Sequence, residues 1–186
     1  MNKDGELRIV NRTALPARLR FRCDGRPAWD AWIAPGGEAI VPEPRSDRLT
    51  CSARYDDPET RVAFVLPAGP VFPGYCLAAG MHHVAQAAQF VCAMEPGSAP
   101  HAVGIANRTG GDVGFTLRFL GSPFAVQLPV RAGDRAQFRP QEFDLVVTLA
   151  GVTSAAWRIR DWRGALEVHA TKSNGLELPS LVQAAQ

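Results

Sequence analysis

Lysine is almost missing: of the 20 basic residues in this 186-residue chain only Lys3 and Lys172 are lysines. Cationic recognition here therefore means planar guanidinium forks, which suit carboxylates, phosphates and aromatic faces. A bacterial-type composition bias accounts equally well for the excess of arginine. An excess of either sign of charge is also lacking, since 18 acidic residues leave a net charge of +2. That balance argues against a protein that coats polyanions, and nucleic acid is not an expected partner. Long apolar runs are absent too: the weakly polar stretch from Val62 to Met81 is broken by Pro67, Gly69, Pro70, Pro73 and Gly74. No segment reaches the roughly 18 apolar residues of a spanning helix, so a soluble chain that does not span the membrane is expected. The start, Met1-Asn2-Lys3-Asp4-Gly5-Glu6, carries no apolar signal region, so the expected address is the cytoplasm, or export without a cleavable signal. Cysteine is scarce at four residues, Cys23, Cys51, Cys76 and Cys92. A chain of this size buries roughly 70% of its unfolded surface without staples, so free, mostly buried thiols are expected.

What is present is turn chemistry and a core. Apolar residues make up 46% of the chain, and 17 glycines and 15 prolines fall between short apolar stretches, which points to strands joined by turns. The sequence also repeats. Leu7-Arg8-Ile9-Val10-Asn11-Arg12-Thr13 is answered by Val103-Gly104-Ile105-Ala106-Asn107-Arg108-Thr109, 96 residues later. Leu19-Arg20-Phe21 then matches Leu117-Arg118-Phe119, and Pro35-Gly36-Gly37-Glu38-Ala39 matches Ala132-Gly133-Asp134-Arg135-Ala136. Duplication is the simplest reading.

Alternation supplies the strands. Ala17, Leu19, Phe21 and Cys23 alternate with Arg18, Arg20 and Arg22, and Leu49 to Tyr55, Val113 to Phe119 and Phe143 to Leu149 behave alike, as half-buried strands do. Further strands are expected at 6–10, 29–33, 38–41, 61–66, 103–106, 125–130, 135–139, 156–160 and 166–171. The fold class is all-β: two tandem, internally repeated antiparallel β-sandwich halves packed together. The first spans 1–67 and the second 101–178. Residues 68–100 form a Pro/Gly-rich connector; within it Met81–Met94 reads as helix or strand, with a closing strand over Ala88–Met94 favoured. Residues 179–186 are expected to form a loose or short helical tail, and exposed sheet edges allow a homodimer.

Three groups of residues are candidates for function. The Asn-Arg-Thr triplets match a glycosylation pattern, but Asn and Thr at strand ends more simply bond nearby backbone in Asx and ST turns. Cys76, Met81, His82, His83, Cys92 and Met94, with His101, gather the softest donors in the chain, the kind that hold copper or zinc. The spacing matches no metal motif, so no metal or other cofactor is assigned. Trp29, Asp30 and Trp32, and Arg160, Trp162 and Arg163, place rings beside charges, a combination that binds protein hot spots, glycan faces or lipid headgroups. Trp162 is the ring expected in solvent and Trp157 the one expected in the core. The arginines of the 17–23 strand read as a solvated face with acidic partners, and Asp56-Asp57-Pro58-Glu59 as an exposed turn. Nucleophile-elbow, zinc-protease, P-loop and dinucleotide motifs are absent, so no catalytic residue is assigned. The expected function is that of a non-catalytic binding protein using loop aromatics and arginines. Membrane-active, toxin-like behaviour is the first alternative and soft-metal binding the second.

Overall fold

Alternation sets which side chains point inward, and in the computed structural model, which describes residues 5–84, 87–97 and 99–184, every expected strand forms. The chain runs through β1 (Glu6–Asn11), β2 (Ala17–Cys23), β3 (Arg26–Ile33) and β4 (Glu38–Pro42). A short 3-10 turn, Ser46–Arg48, leads to β5 (Leu49–Asp56), β6 (Ala63–Val71), β7 (Tyr75–Val84) and β8 (Ala87–Pro96). Then come β9 (Val103–Asn107), β10 (Val113–Phe119), β11 (Ala125–Val130) and β12 (Arg135–Phe138). The last strands are β13 (Phe143–Leu149), β14 (Val152–Thr153), β15 (Trp157–Ile159), β16 (Gly164–Ser173) and β17 (Leu176–Gln183). Among the described residues no helix is long and apolar enough to cross a membrane.

The strands form four sheets in two compact units. Unit 1 holds the chain up to Pro44, Gly121–Phe124 and everything from Glu142 onward. Its sheets are β17-β16-β1-β4 and β14-β13-β2-β3, with β15 also on β13. Unit 2 holds Arg45–Leu120 and Ala125–Gln141, with sheets β12-β9-β7-β8 and β11-β10-β5-β6. The boundaries expected at 67 and 101 therefore do not divide the molecule. Each unit takes four strands from the start of one half and the rest from the end of the other. The reason is pairing: β2 has β3 on one edge and β13 on the other, and β1 lies between β4 and the parallel β16, so each sheet joins strands from both halves. Alternation specifies a buried face, whereas the choice of neighbour depends on side chains far away in sequence.

Two further expectations change. Residues 68–100 are not a connector with one closing strand, because β7 and β8 form a hairpin of two ten-residue strands with Met81 and Met94 both in strand. The chain end is no loose tail either: β17 pairs with β16 across the turn Asn174-Gly175. Both turn residues have positive φ, 51° and 77°, the left-handed geometry of a two-residue hairpin that Asn-Gly favours. The β2–β3 turn uses Asp24-Gly25 in the same way, whereas β13–β14 puts Ala150 at φ 45°.

Each unit is tied together by one buried asparagine. Asn11, 0% exposed, ends β1. Its Nδ2 donates to the carbonyls of Leu15 (2.8 Å), Ile33 (3.2 Å) and Ala34 (3.1 Å), and its Oδ1 accepts from the Thr13 amide and hydroxyl. Asn107 at the end of β9 is 1% exposed. Its Nδ2 donates to Gly111 and Val130 carbonyls at 2.8 Å each, and its Oδ1 accepts from the Thr109 amide and hydroxyl. The triplets are thus strand-exit devices, and neither carboxamide is accessible to a glycan. Replacing Asn107 with Asp turns two donors toward carbonyls into a carboxylate. Chemical denaturation of Asn107→Asp at pH 7 is expected to show a loss of about 3 kcal/mol or more. Because burial raises the folded-state pKa of that carboxyl, the penalty is smallest below its unfolded pKa of about 4 and grows as pH rises. Ala150→Asn relieves the left-handed alanine and is expected to raise stability by about 0.5–1 kcal/mol in the same assay.

Candidate functional site

The segment Ile159-Arg160-Asp161-Trp162-Arg163-Gly164 leaves β15 and enters β16 by a local turn. The Arg163 amide donates to Asp161 Oδ1 at 2.8 Å, an Asx-type bond that holds the loop. Gly164 sits at φ 146°, a backbone state that L side chains rarely adopt. Trp162 turns inward and the two arginines stay outside. Arg160 and Arg163, with Trp157 and the apolar floor of Leu7, Ile159 and Leu166, line a hollow of about 240 Å³. Neighbouring Arg158, also on its lining, is committed: its Nε donates to Asp144 Oδ1 at 2.6 Å, and Glu142 lies 3.8 Å from Nη1. Among the described residues neither Arg160 nor Arg163 holds a carboxylate.

The tryptophans exchange their expected places. Trp162 is half-buried, its ring centroid 5.7 Å from Phe124, 5.4 Å from Phe143 and 6.4 Å from Phe21. Phe124, 1% exposed, is the hub of this cluster and also meets Trp29 at 5.7 Å. Trp157 is 36% exposed. Residues 29 and 32, three apart on β3, fall on opposite faces: Trp29 joins the core cluster and Trp32 is 67% exposed. On the outer face of β2 and β3, Arg18 stacks over Trp32 at 5.9 Å and pairs with Asp30, while Arg20 donates to Thr148 Oγ1 at 3.0 Å. The Nε atoms of Arg18 and Arg20 are buried without a partner. The acidic turn is closed internally, with Asp57 Oδ1 accepting from the Glu59 amide at 2.9 Å.

The soft donors do not converge. Cys76 and Cys92 lie on opposite faces of the β7–β8 hairpin, as the register Cys76↔Glu95 and Ala79↔Cys92 requires. Adjacent His82 and His83 likewise point apart and are exposed. Met81, His83 and Met94 share the Cys92 face but are spread along the strands, and among the described residues no three His, Cys, Asp or Glu side chains group as metal ligands. Period-two geometry divides between two faces the donors that lie together in the linear sequence. Cys51, Cys76 and Cys92 are free thiols. Burial pushes the Cys51 pKa up to about 12 and that of Cys92 to about 11. Cys76 is also raised, by burial first and then by Glu95. These groups are neutral thiols at physiological pH, not thiolate nucleophiles.

No family model, curated protein or solved structure gives a significant match to the chain. Thermal and chemical denaturation separate the two kinds of tryptophan. Trp162→Ala is expected to cost about 3 kcal/mol, and Trp32→Ala about 0.5–1 kcal/mol, the size of an exposed cation–π contact.

Proposed function

We propose that the protein is a binding module and that the hollow of unit 1 takes an acidic group on a protein or glycan surface. The observation that carries this reading is that two arginines without an ion pair among the described residues share one hollow with an exposed tryptophan. Arg8, Arg12, Arg18, Arg26, Arg45, Arg54, Arg108 and Arg158 each hold a carboxylate. Arg160 and Arg163 hold none, yet share one hollow with an accessible indole. A guanidinium fork binds a carboxylate through two parallel hydrogen bonds, and a ring beside it adds contact area at little entropic cost. Arg160 and Arg163 supply charge and direction, Trp157 supplies the stacking face, and Asp161 and Gly164 fix the loop. Trp162 supports the loop from beneath. Trp32 with Asp30 on the outer face of β3 offers a second aromatic contact, already partnered by Arg18.

Binding to immobilised polygalacturonate and poly-glutamate tests this reading, with neutral dextran as control. The intact protein is expected to be retained by at least one acidic probe, and R160E/R163E to lose at least tenfold in affinity with an unchanged melting temperature. Equal retention of wild type and variant contradicts the proposal. So does pelleting with zwitterionic liposomes in the absence of any acidic-probe binding, which favours a membrane-active protein instead.

A further inference from the structure

A second feature in unit 2 is independent of that hollow. The outer face of sheet β12-β9-β7-β8 is built in cross-strand rows. Register aligns Gln137, Gly104, Cys76 and Glu95 in one row, and Arg135, Ala106, Ala78 and Ala93 in the next. In these two rows the central strands carry only glycine, cysteine and alanine, with Ala78 and Ala106 buried and Gly104 and Cys76 partly open, while larger polar side chains stand at the sides. The result is a trough of about 410 Å³ with Gly104 and Cys76 in its floor, Arg135 and Gln137 on one wall, and Glu95 with Arg108 on the other.

The corresponding sheet of unit 1 shows what the trough replaces. There the equivalent row is Ile40, Arg8 and Ala165, and Glu38 stands opposite Val10 as Arg135 stands opposite Ala106. Arg8 reaches Glu38 and closes the face with an ion pair. In unit 2 the arginine position is Gly104 and the glutamate position is Arg135. A β-carbon at Gly104 would meet Cys76 Cβ at 3.0 Å and Sγ at 3.2 Å, so the space is reserved by the absence of a side chain. Arg135 is left without a carboxylate among the described residues. Arg108 is already held by Glu95, both guanidinium nitrogens bonding at 2.6 Å. Two cations against one carboxylate leave one net positive charge on the walls: Glu95 feels both guanidinium groups but is hydrogen-bonded by Arg108, which leaves the donors of Arg135 open.

We infer that this trough is a binding site for a small organic carboxylate. Arg135 pairs with its single negative charge, Gln137 offers an amide to a second polar group, and Gly104 and Cys76 accommodate a compact apolar or sugar-like body. The volume suits a molecule the size of a benzoic acid or a sugar acid, and a singly charged group matches the single unpaired guanidinium.

Two-dimensional NMR of the intact protein, titrated separately with benzoate, glucuronate, benzamide, glucose and inorganic phosphate, tests the inference. Expected are saturable shifts of the Gly104, Arg135 and Gln137 amides with at least one of the two carboxylates, none with its neutral counterpart, and weaker shifts with phosphate. R135E is expected to weaken carboxylate binding at least tenfold. The variant C76A/G104R/R135E installs the unit 1 pattern, Ala165 with Arg8 and Glu38, and is expected to give a dispersed folded spectrum without binding. The inference is overturned if neither carboxylate shifts these amides, if R135E binds as wild type does, or if phosphate or the neutral compounds bind equally well.

Discussion

The two buried carboxamides, Asn11 and Asn107, are the contacts on which the rest of the molecule depends. A strand that ends inside a sandwich leaves backbone groups needing partners where water cannot reach, and an unmet bond there costs more than a met one returns. Each asparagine answers with both ends of its side chain. It ties the end of a first strand to the hairpin that follows and to the turn that leads to the fourth strand. The backbone repeats the tie, with Asn11 exchanging bonds with Gly36 and Gly37, and Asn107 with Gly133 and Asp134. Two strand pairs, one from each sheet, are thereby tied together in each unit, ready to be completed by strands from the other half.

From that frame the two candidate sites arise in different ways. The hollow of unit 1 depends on a loop: β15 is short, its exit is fixed by Asp161, and the half-buried Trp162 anchors the loop so that Arg160 and Arg163 are held outward. The trough of unit 2 depends on a sheet, where small residues on the two inner strands leave a gap between charged walls. Sheet-borne sites are the more rigid of the two kinds, because Arg135, Gln137 and Glu95 stand on hydrogen-bonded ladders. In both places the feature that matters is a guanidinium left over after its neighbours have paired. The near-zero net charge thus combines local ion pairs with cations that stand apart from them.

Much of the fold was legible in the sequence. Alternation located β2, β5, β10 and β13 with their buried faces, and the Asn-Arg-Thr triplets gave away their turn role. Partner choice was not legible, because nothing in the pattern of Ala17–Cys23 distinguishes β13 from a strand nearer in sequence. The strand β17 reads as a tail because Pro179 interrupts it near the chain end, although Asn174-Gly175 is a strong hairpin signal. Arg160 and Arg163 were recognisable as a pair of charges. The inward turn of Trp162 was not, because it depends on Phe124 and Phe143, remote in the chain. The sequence likeness already set Gly104 against Arg8 and Arg135 against Glu38; the consequence appears only once register places those positions in adjacent rows.

The central claim is that neither half of the chain can complete a sandwich alone. Heteronuclear NMR of residues 1–100 and 101–186, prepared separately and then mixed, tests it most directly. The interleaved pairing predicts poorly dispersed spectra for each monomeric fragment, and a dispersed spectrum overlaying that of the whole chain after mixing. A dispersed, monomeric spectrum from residues 1–100 alone would contradict it, because β1 and β2 would then be folding without β16 and β13.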